Sequence, residues 1–191
     1  MLVSWRANQE IGGPGVWVKG RKTMVGEVSR SRLIALHNHL CASTPLHPQG
    51  VTYGLGDKAV PLDIDSSMIA SLDCSGYVCY TCFYAAGHML RLPDGSANQH
   101  QWCLDQGLSR VSYEQAGTVP NETLKICFLT PEKQPDGIGH VWWLIWDDSL
   151  KKGQTYECHG GCGVDTRDWN APIEGGSLAD CDACFVFPSV A

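Results

Sequence analysis

The chain has 191 residues, 43% hydrophobic and 18% charged, a composition that suits one globular domain with room for a short appendage and excludes the disordered class. A formal net charge of −6 excludes a broad basic face for nucleic acid or anionic lipid. No apolar run approaches the ~20 residues that cross a bilayer, and Met1-Leu2-Val3-Ser4-Trp5-Arg6 lacks the basic start and apolar core of a secretory signal.

Ten cysteines are many for this length, and an even number is compatible with disulfides. The chain is nonetheless long enough to build a core without them. Several sit in apolar runs such as Lys125-Ile126-Cys127-Phe128-Leu129, where a buried thiol is explanation enough. Mostly reduced cysteines are the expectation.

Residues 1–30 are glycine-rich, with a turn at Ile11-Gly12-Gly13-Pro14-Gly15 and a short strand candidate at Val16-Trp17-Val18. They read as an arm or cover on a main domain of residues 31–191. Ser31 to Cys41 is a helix candidate, because Leu33, Leu36 and Leu40 share one helical face. His37 and His39 are two apart, point in different directions on a helix, and read as polar-face residues without a shared metal. Thr44 to Asp65 is punctuated by proline and glycine and reads as loop. Within it, Val51-Thr52-Tyr53-Gly54 offers a phenol that suits either an exposed turn or a cleft wall.

Ser71-Leu72-Asp73-Cys74-Ser75-Gly76-Tyr77-Val78 organises the rest of the reading. A helical run follows to about Ala86, with Gly87 as its stop. Free N–H groups and the positive dipole end at a helix start favour a thiolate, the form in which cysteine is a nucleophile. A small buried thiol opening a core helix is the plainer alternative. Val78, Cys82 and Ala85 should face the core, and the Cys79-x-x-Cys82 pair lies inside the helix, where packing explains it.

Arg91-Leu92-Pro93-Asp94-Gly95 is a turn, Ala97 to Gly107 a helix candidate with Trp102 and Leu108 turned inward, and Val111 to Asn121 reads as loop. Strand character then takes over. Thr123–Thr130, Gly139–Trp146, Gln154–His159 and Asp182–Phe187 are strand candidates separated by turn-rich segments, the last stopped by Pro188. Helices followed by an antiparallel meander make an α+β order.

His140 opens one of these strands and His159 closes the next. A hairpin brings such positions together. A cysteine nucleophile needs a base, and the base needs an orienting partner. Cys74, His140 and His159 suit those three roles; cysteine and histidine also suit zinc, and lone strand histidines often only satisfy a half-buried position.

Asp73-Cys74-Ser75-Gly76-Tyr77-Val78 resembles the nucleophile motif of the NlpC (p-sixty) cell-wall cysteine peptidases. Gly139-His140-Val141 resembles that family's histidine strand, Tyr156-Glu157-Cys158-His159-Gly160-Gly161 its third-residue strand, Val51-Thr52-Tyr53-Gly54 its tyrosine loop, and Arg91-Leu92-Pro93 the segment after its first helix. The likeness spans about residues 31–165. Leu55 replaces the family's loop tryptophan, and the usual Pro-Gly-Asp lead into the histidine strand is absent near Thr123. The resemblance implies a papain-like α+β fold, N-terminal helices packed on an antiparallel sheet. It implies an endopeptidase that cleaves D-glutamyl–diamino acid bonds in peptidoglycan stem peptides without a cofactor or metal. By position, Cys74 is the nucleophile, His140 the base and His159 the orienter. Tyr53, Asp73 and Ser75 would line the cleft at the substrate's amino end, where an acidic group suits a cationic amine. The backbone N–H of Cys74 is a candidate oxyanion donor.

Two other activities share the residues or the cysteines. One is an N-acetylmuramoyl-L-alanine amidase using the same three side chains. The other is a non-enzymatic module stapled by zinc through Cys79-x-x-Cys82 and Cys181-x-x-Cys184. An acyltransferase is disfavoured by the Cys-then-His order. The setting expected of a wall-cutting chain without a signal is synthesis in the cytoplasm and action on the wall after release or injection, with a delivery or immunity protein as a further partner.

Overall fold

The computed structural model describes residues 16–18, 21–23, 26–42, 49–133, 139–173 and 176–191. The glycine-rich turn expected at residues 11–15 lies outside them. An antiparallel pair, β1 (Val16–Val18) and β2 (Arg21–Thr23), precedes β3 (Val28–Ser29) and α1 (Arg30–Cys41). Two short parallel strands, β4 (Thr52–Tyr53) and β5 (Ser71–Leu72), lead into α2 (Cys74–Ala85). α3 (Ser96–Asp105) and α4 (Tyr113–Thr118) follow. The strands β6 (Leu124–Leu129), β7 (His140–Asp147), β8 (Lys152–His159), β9 (Gly163–Asp165), β10 (Pro172–Ile173), β11 (Gly176–Ser177), β12 (Ala183–Phe187) and β13 (Ser189–Val190) complete the chain.

The main sheet runs β12-β6-β7-β8-β9 with every neighbouring pair antiparallel. This is the expected α+β arrangement, helices first and sheet second. The tail beyond residue 165 is part of the architecture, since β12 forms the outer strand beside β6. β13 pairs in parallel with β3, inside the stretch read as an arm, and Val28 of β3 is fully buried.

α2 is the central helix, and local chemistry sets both its ends. The Asp73 side chain caps the start by accepting from the Gly76 N–H at 2.6 Å. At the other end Gly87 takes φ +61°, and the His88 and Gly87 N–H groups close back on the Phe83 and Tyr84 carbonyls. That double closure satisfies carbonyls the helix leaves open. Every α2 residue except Tyr84 is buried, as befits a helix apolar all round.

α1 packs on α2 through Leu33, His37 and Leu40. His37 is therefore not the polar-face residue expected: the i, i+4, i+7 spacing puts it between two core leucines. Its Nδ1 meets the Tyr77 hydroxyl at 2.7 Å and its Nε2 the Thr166 hydroxyl at 2.8 Å. Burial pushes its pKa down to about 4, so it is neutral near pH 7.

The strand run His140–Trp146 is apolar rather than alternating because both faces of the sheet are covered. Val141, Trp143 and Ile145 pack with Tyr77, Val78 and Cys82 of α2, and the Trp143 indole donates to the Thr81 hydroxyl at 2.9 Å. Trp142 and Leu144 face the other way, with Cys127, Leu129, Leu178 and the α4 residues Tyr113 and Ala116. α4 occupies part of the segment read as loop. Its six residues are too few for a periodic signal; the Ser112 hydroxyl capping the Gln115 N–H is the local cue.

All ten cysteines are free thiols, and Cys162 alone among them is exposed. Cys79 and Cys82 belong to the α2 side of the sheet, whereas Cys184 and Cys181 belong to the opposite side. The sheet separates the two CxxC pairs, so one ion cannot staple them, and that expectation is corrected.

Candidate active site

The site forms where the start of α2 meets the start of β7. Asp73 is the cap, so Cys74 is the first helical residue and its sulfur stands at the helix mouth. Cys74 is nearly buried, at 6% exposure, and its thiol points at the Gly139 carbonyl 3.8 Å away. The next residue, His140, keeps 15% of its side chain exposed. Its imidazole interacts with the Cys74 thiol and stacks on Trp142 with ring centroids 5.3 Å apart.

The other side of that imidazole is held by a residue the sequence reading passed over. Glu157 Oε2 lies 2.6 Å from His140 Nε2, and the Glu157 side chain is fully buried. Arg167 grips the same carboxylate with two donors, Nε to Oε1 at 2.9 Å and Nη2 to Oε2 at 2.7 Å. The Thr155 hydroxyl donates to Oε1 at 2.5 Å. A buried carboxylate with this many donors is held in one orientation.

Electrostatics follow from these contacts. Burial by itself would push His140 down, but its hydrogen bonds to Cys74 and Glu157 outweigh that and raise its pKa to about 9. Burial would likewise raise Glu157, yet His140 and Arg167 hold it well below the usual carboxylate range. The imidazolium is thus the favoured form of His140 beside the sulfur at neutral pH.

His159 was the expected orienter, but the side chain against the His140 ring is that of Glu157. The β7–β8 ladder runs from Asp147↔Lys152 only as far as Trp143↔Tyr156. From Glu157 onward β8 pairs with β9 instead, His159 opposite Gly163. Had the ladder continued, His159 would stand across from His140. Because β8 peels away, His159 is carried to the β8–β9 turn, where its Nδ1 meets the Gly160 carbonyl at 2.9 Å. Glu157, one residue past the last paired position, stays within reach. A glutamate in a strand beside a histidine strand was the available signal; the neighbouring histidine drew attention from it.

The three cleft residues divide. Tyr53 pairs in register with Leu72, two residues before Cys74, and its ring edge borders Gly160. Asp73 and Ser75 are beside Cys74 but are spent internally. Asp73 Oδ1 accepts from the Gly76 N–H and from the Ser75 hydroxyl at 3.0 Å. Its Oδ2 accepts from the Gly56 N–H at 3.2 Å and pairs with the Lys58 ammonium. Lys58 also donates to the Ser75 hydroxyl at 2.8 Å and pairs with Asp94 at 3.1 Å. The cation expected from a substrate amine is supplied by the chain's own Lys58.

The chain matches no family model and no curated protein. Among solved structures it is similar to the P60 domain of an antigen from M. avium subspecies paratuberculosis, at 18% identity over 84% of this chain and 98% of that one, with a TM-score of 0.48. It is also similar to the peptidoglycan hydrolase RipB from Mycobacterium tuberculosis, at 16% identity over 83% of this chain and 67% of that one, with a TM-score of 0.36.

Proposed function

We propose that the protein is a cysteine peptidase that hydrolyses amide bonds in peptidoglycan stem peptides, with Cys74 as nucleophile, His140 as base and Glu157 as the residue that orients the base. The observation that carries the chemistry is the chain of contacts from the Cys74 thiol through His140 to the buried Glu157–Arg167 pair. The substrate class rests on the likeness of Asp73–Val78 and Gly139–Val141 to the NlpC nucleophile and histidine motifs.

With Nε2 engaged by Glu157, Nδ1 is the ring nitrogen that takes and holds the proton of the thiol, so the imidazolium is the form that faces the sulfur when the substrate arrives. The thiolate attacks the amide carbonyl, and the charge that develops on oxygen falls near the first N–H groups of α2, which have no acceptor within the helix. The Cys74 N–H is the candidate donor. The imidazolium then protonates the departing amine, and water, deprotonated by the same imidazole, releases the acyl group from sulfur. Glu157 keeps the ring turned throughout and stabilises its charged form.

The test is product analysis on defined stem peptides, wild type beside Cys74→Ala. The proposal expects cleavage at the D-glutamyl–diamino acid bond by the wild type and none by the variant, with the fold intact by circular dichroism. Turnover by Cys74→Ala overturns the assignment. The amidase alternative places the cut at the glycan–peptide junction, which mass spectrometry of digested wall distinguishes.

A further inference from the structure

The β8–β9 turn carries a second chemical constellation that the proposed hydrolysis does not use. His159, Cys162 and Asp165 follow one another at intervals of three residues, and their ligand atoms all lie within 4.8 Å of one another. The three donors are a nitrogen, a sulfur and an oxygen.

Each donor is prepared by its surroundings. The Nδ1 of His159 is engaged by the Gly160 carbonyl, which can only accept, so Nδ1 carries the hydrogen and Nε2 the lone pair. That Nε2 is shut off from solvent and has no hydrogen-bond partner among the described residues. A buried acceptor left without a donor is costly, and a bound cation would satisfy it. It stands 3.6 Å from Asp165 Oδ2. Asp165 is itself held through its other oxygen, which accepts from the Thr166 N–H at 2.8 Å. A histidine whose second nitrogen donates to a carbonyl, and a carboxylate steadied through its spare oxygen, are the outer contacts that orient metal ligands.

The turn is also anchored. Gly161 and Gly163, on either side of Cys162, take φ +92° and +91°, and the Cys162 N–H donates back to the His159 carbonyl at 3.4 Å. The Val164 N–H donates to the Val51 carbonyl at 3.0 Å, and a side chain at Gly163 would stand 2.3 Å from that oxygen. Cys162 is the exposed thiol of the chain.

We propose that His159, Cys162 and Asp165 bind one Zn²⁺ ion at this turn. A thiolate, a carboxylate and a neutral imidazole sum to the charge that balances the ion. Nitrogen, sulfur and oxygen together suit Zn²⁺ better than the hard cations, which take oxygen alone. At bond lengths of about 2.0–2.3 Å, ligand atoms of a tetrahedral zinc stand roughly 3.5 Å apart. His159 Nε2 and Asp165 Oδ2, 3.6 Å apart, already stand at that spacing, and the thiol that completes the set is exposed. Three protein ligands leave a fourth position open to water or to a group on a bound molecule. The site lies two residues beyond Glu157 on the same strand and beside Tyr53, so the ion would stiffen one wall next to Cys74.

The full-length chain, stripped of metal and then given one equivalent of Zn²⁺ or Co²⁺, tests this. Wild type, Cys74→Ala, Cys162→Ser and Asp165→Asn are compared by metal analysis, by melting temperature with and without Zn²⁺, and by the absorption of the Co²⁺ form. The expected result is one ion per chain for wild type and Cys74→Ala, a melting temperature raised by Zn²⁺, and a thiolate-to-cobalt charge-transfer band. Cys162→Ser should lose that band, and both turn variants should lose affinity by at least about tenfold. Less than one ion per chain in the wild type overturns the proposal. So does binding that Cys74→Ala abolishes and Cys162→Ser retains, which would put the ion on the catalytic cysteine.

Discussion

Replacing Glu157 by glutamine keeps the side chain's shape and removes its charge, so it isolates what the buried carboxylate does to His140. The rise of the His140 pKa from 6.5 to about 9 corresponds to on the order of 3 kcal/mol in favour of the imidazolium. Burial opposes that rise, and the hydrogen bonds to Cys74 and Glu157 produce it. Without the carboxylate, the His140 pKa should fall, because burial is then opposed by Cys74 alone. Arg167, 18% exposed, would lose its buried counter-charge, a change that costs about 3–5 kcal/mol at fully buried sites and nearer the lower figure here. The kcat/KM on a stem peptide should fall by about 10²–10⁴. Stability should also change its pH dependence. A raised pKa on His140 contributes stability that is complete below about 6.5 and disappears as pH rises through about 9. The depressed pKa of Glu157 works the other way, complete above about 4.5 and lost on further acidification. In Glu157→Gln the decline in stability between pH 6.5 and 9 should flatten, as urea titrations across that range would show. Two results refute the reasoning: a pH–rate profile and rate unchanged in Glu157→Gln, or an alkaline limb that moves only in His159→Ala.

Lys58→Met should destabilise the protein by about 2–3 kcal/mol in urea, because Asp73, with 8% of its side chain exposed, loses its cation while still capping α2; a wild-type midpoint would show that the Lys58 contacts are incidental. Thr81→Val removes the acceptor of the Trp143 indole between two fully buried residues and should cost about 1–3 kcal/mol by the same measurement. Gly117→Ala places a methyl group 2.4 Å from the Trp169 ring, so the ring must move and the melting temperature should drop by the equivalent of about 1–3 kcal/mol. An unchanged melting temperature would mean that α4 is loosely seated.

Much of the frame was legible along the chain. Asp73 before an apolar run and Gly87 after it bracket α2 because capping chemistry is local: a side chain and a few N–H or carbonyl groups within one turn. The strands β6, β7, β8 and β12 showed themselves through apolar, β-prone composition between turns. Cys74 and His140 could be named because one opens a helix and the other opens a strand, positions that motif and spacing reveal.

What the sequence by itself determined is therefore most of the elements and the placing of Cys74 at a helix start and His140 at a strand start, since each depends on neighbours a few residues away. Only the tertiary structure decided the rest. His37 went to the core because α1 turned that face onto Tyr77. Glu157 and not His159 meets the His140 ring because the β7–β8 ladder ends at Trp143↔Tyr156 and β8 turns to β9. Lys58 took the carboxylate of Asp73 from 15 residues away. Where a strand stops pairing, and which distant charge fills a pocket, depends on the packing of many segments at once, and the order of residues along one strand does not encode it.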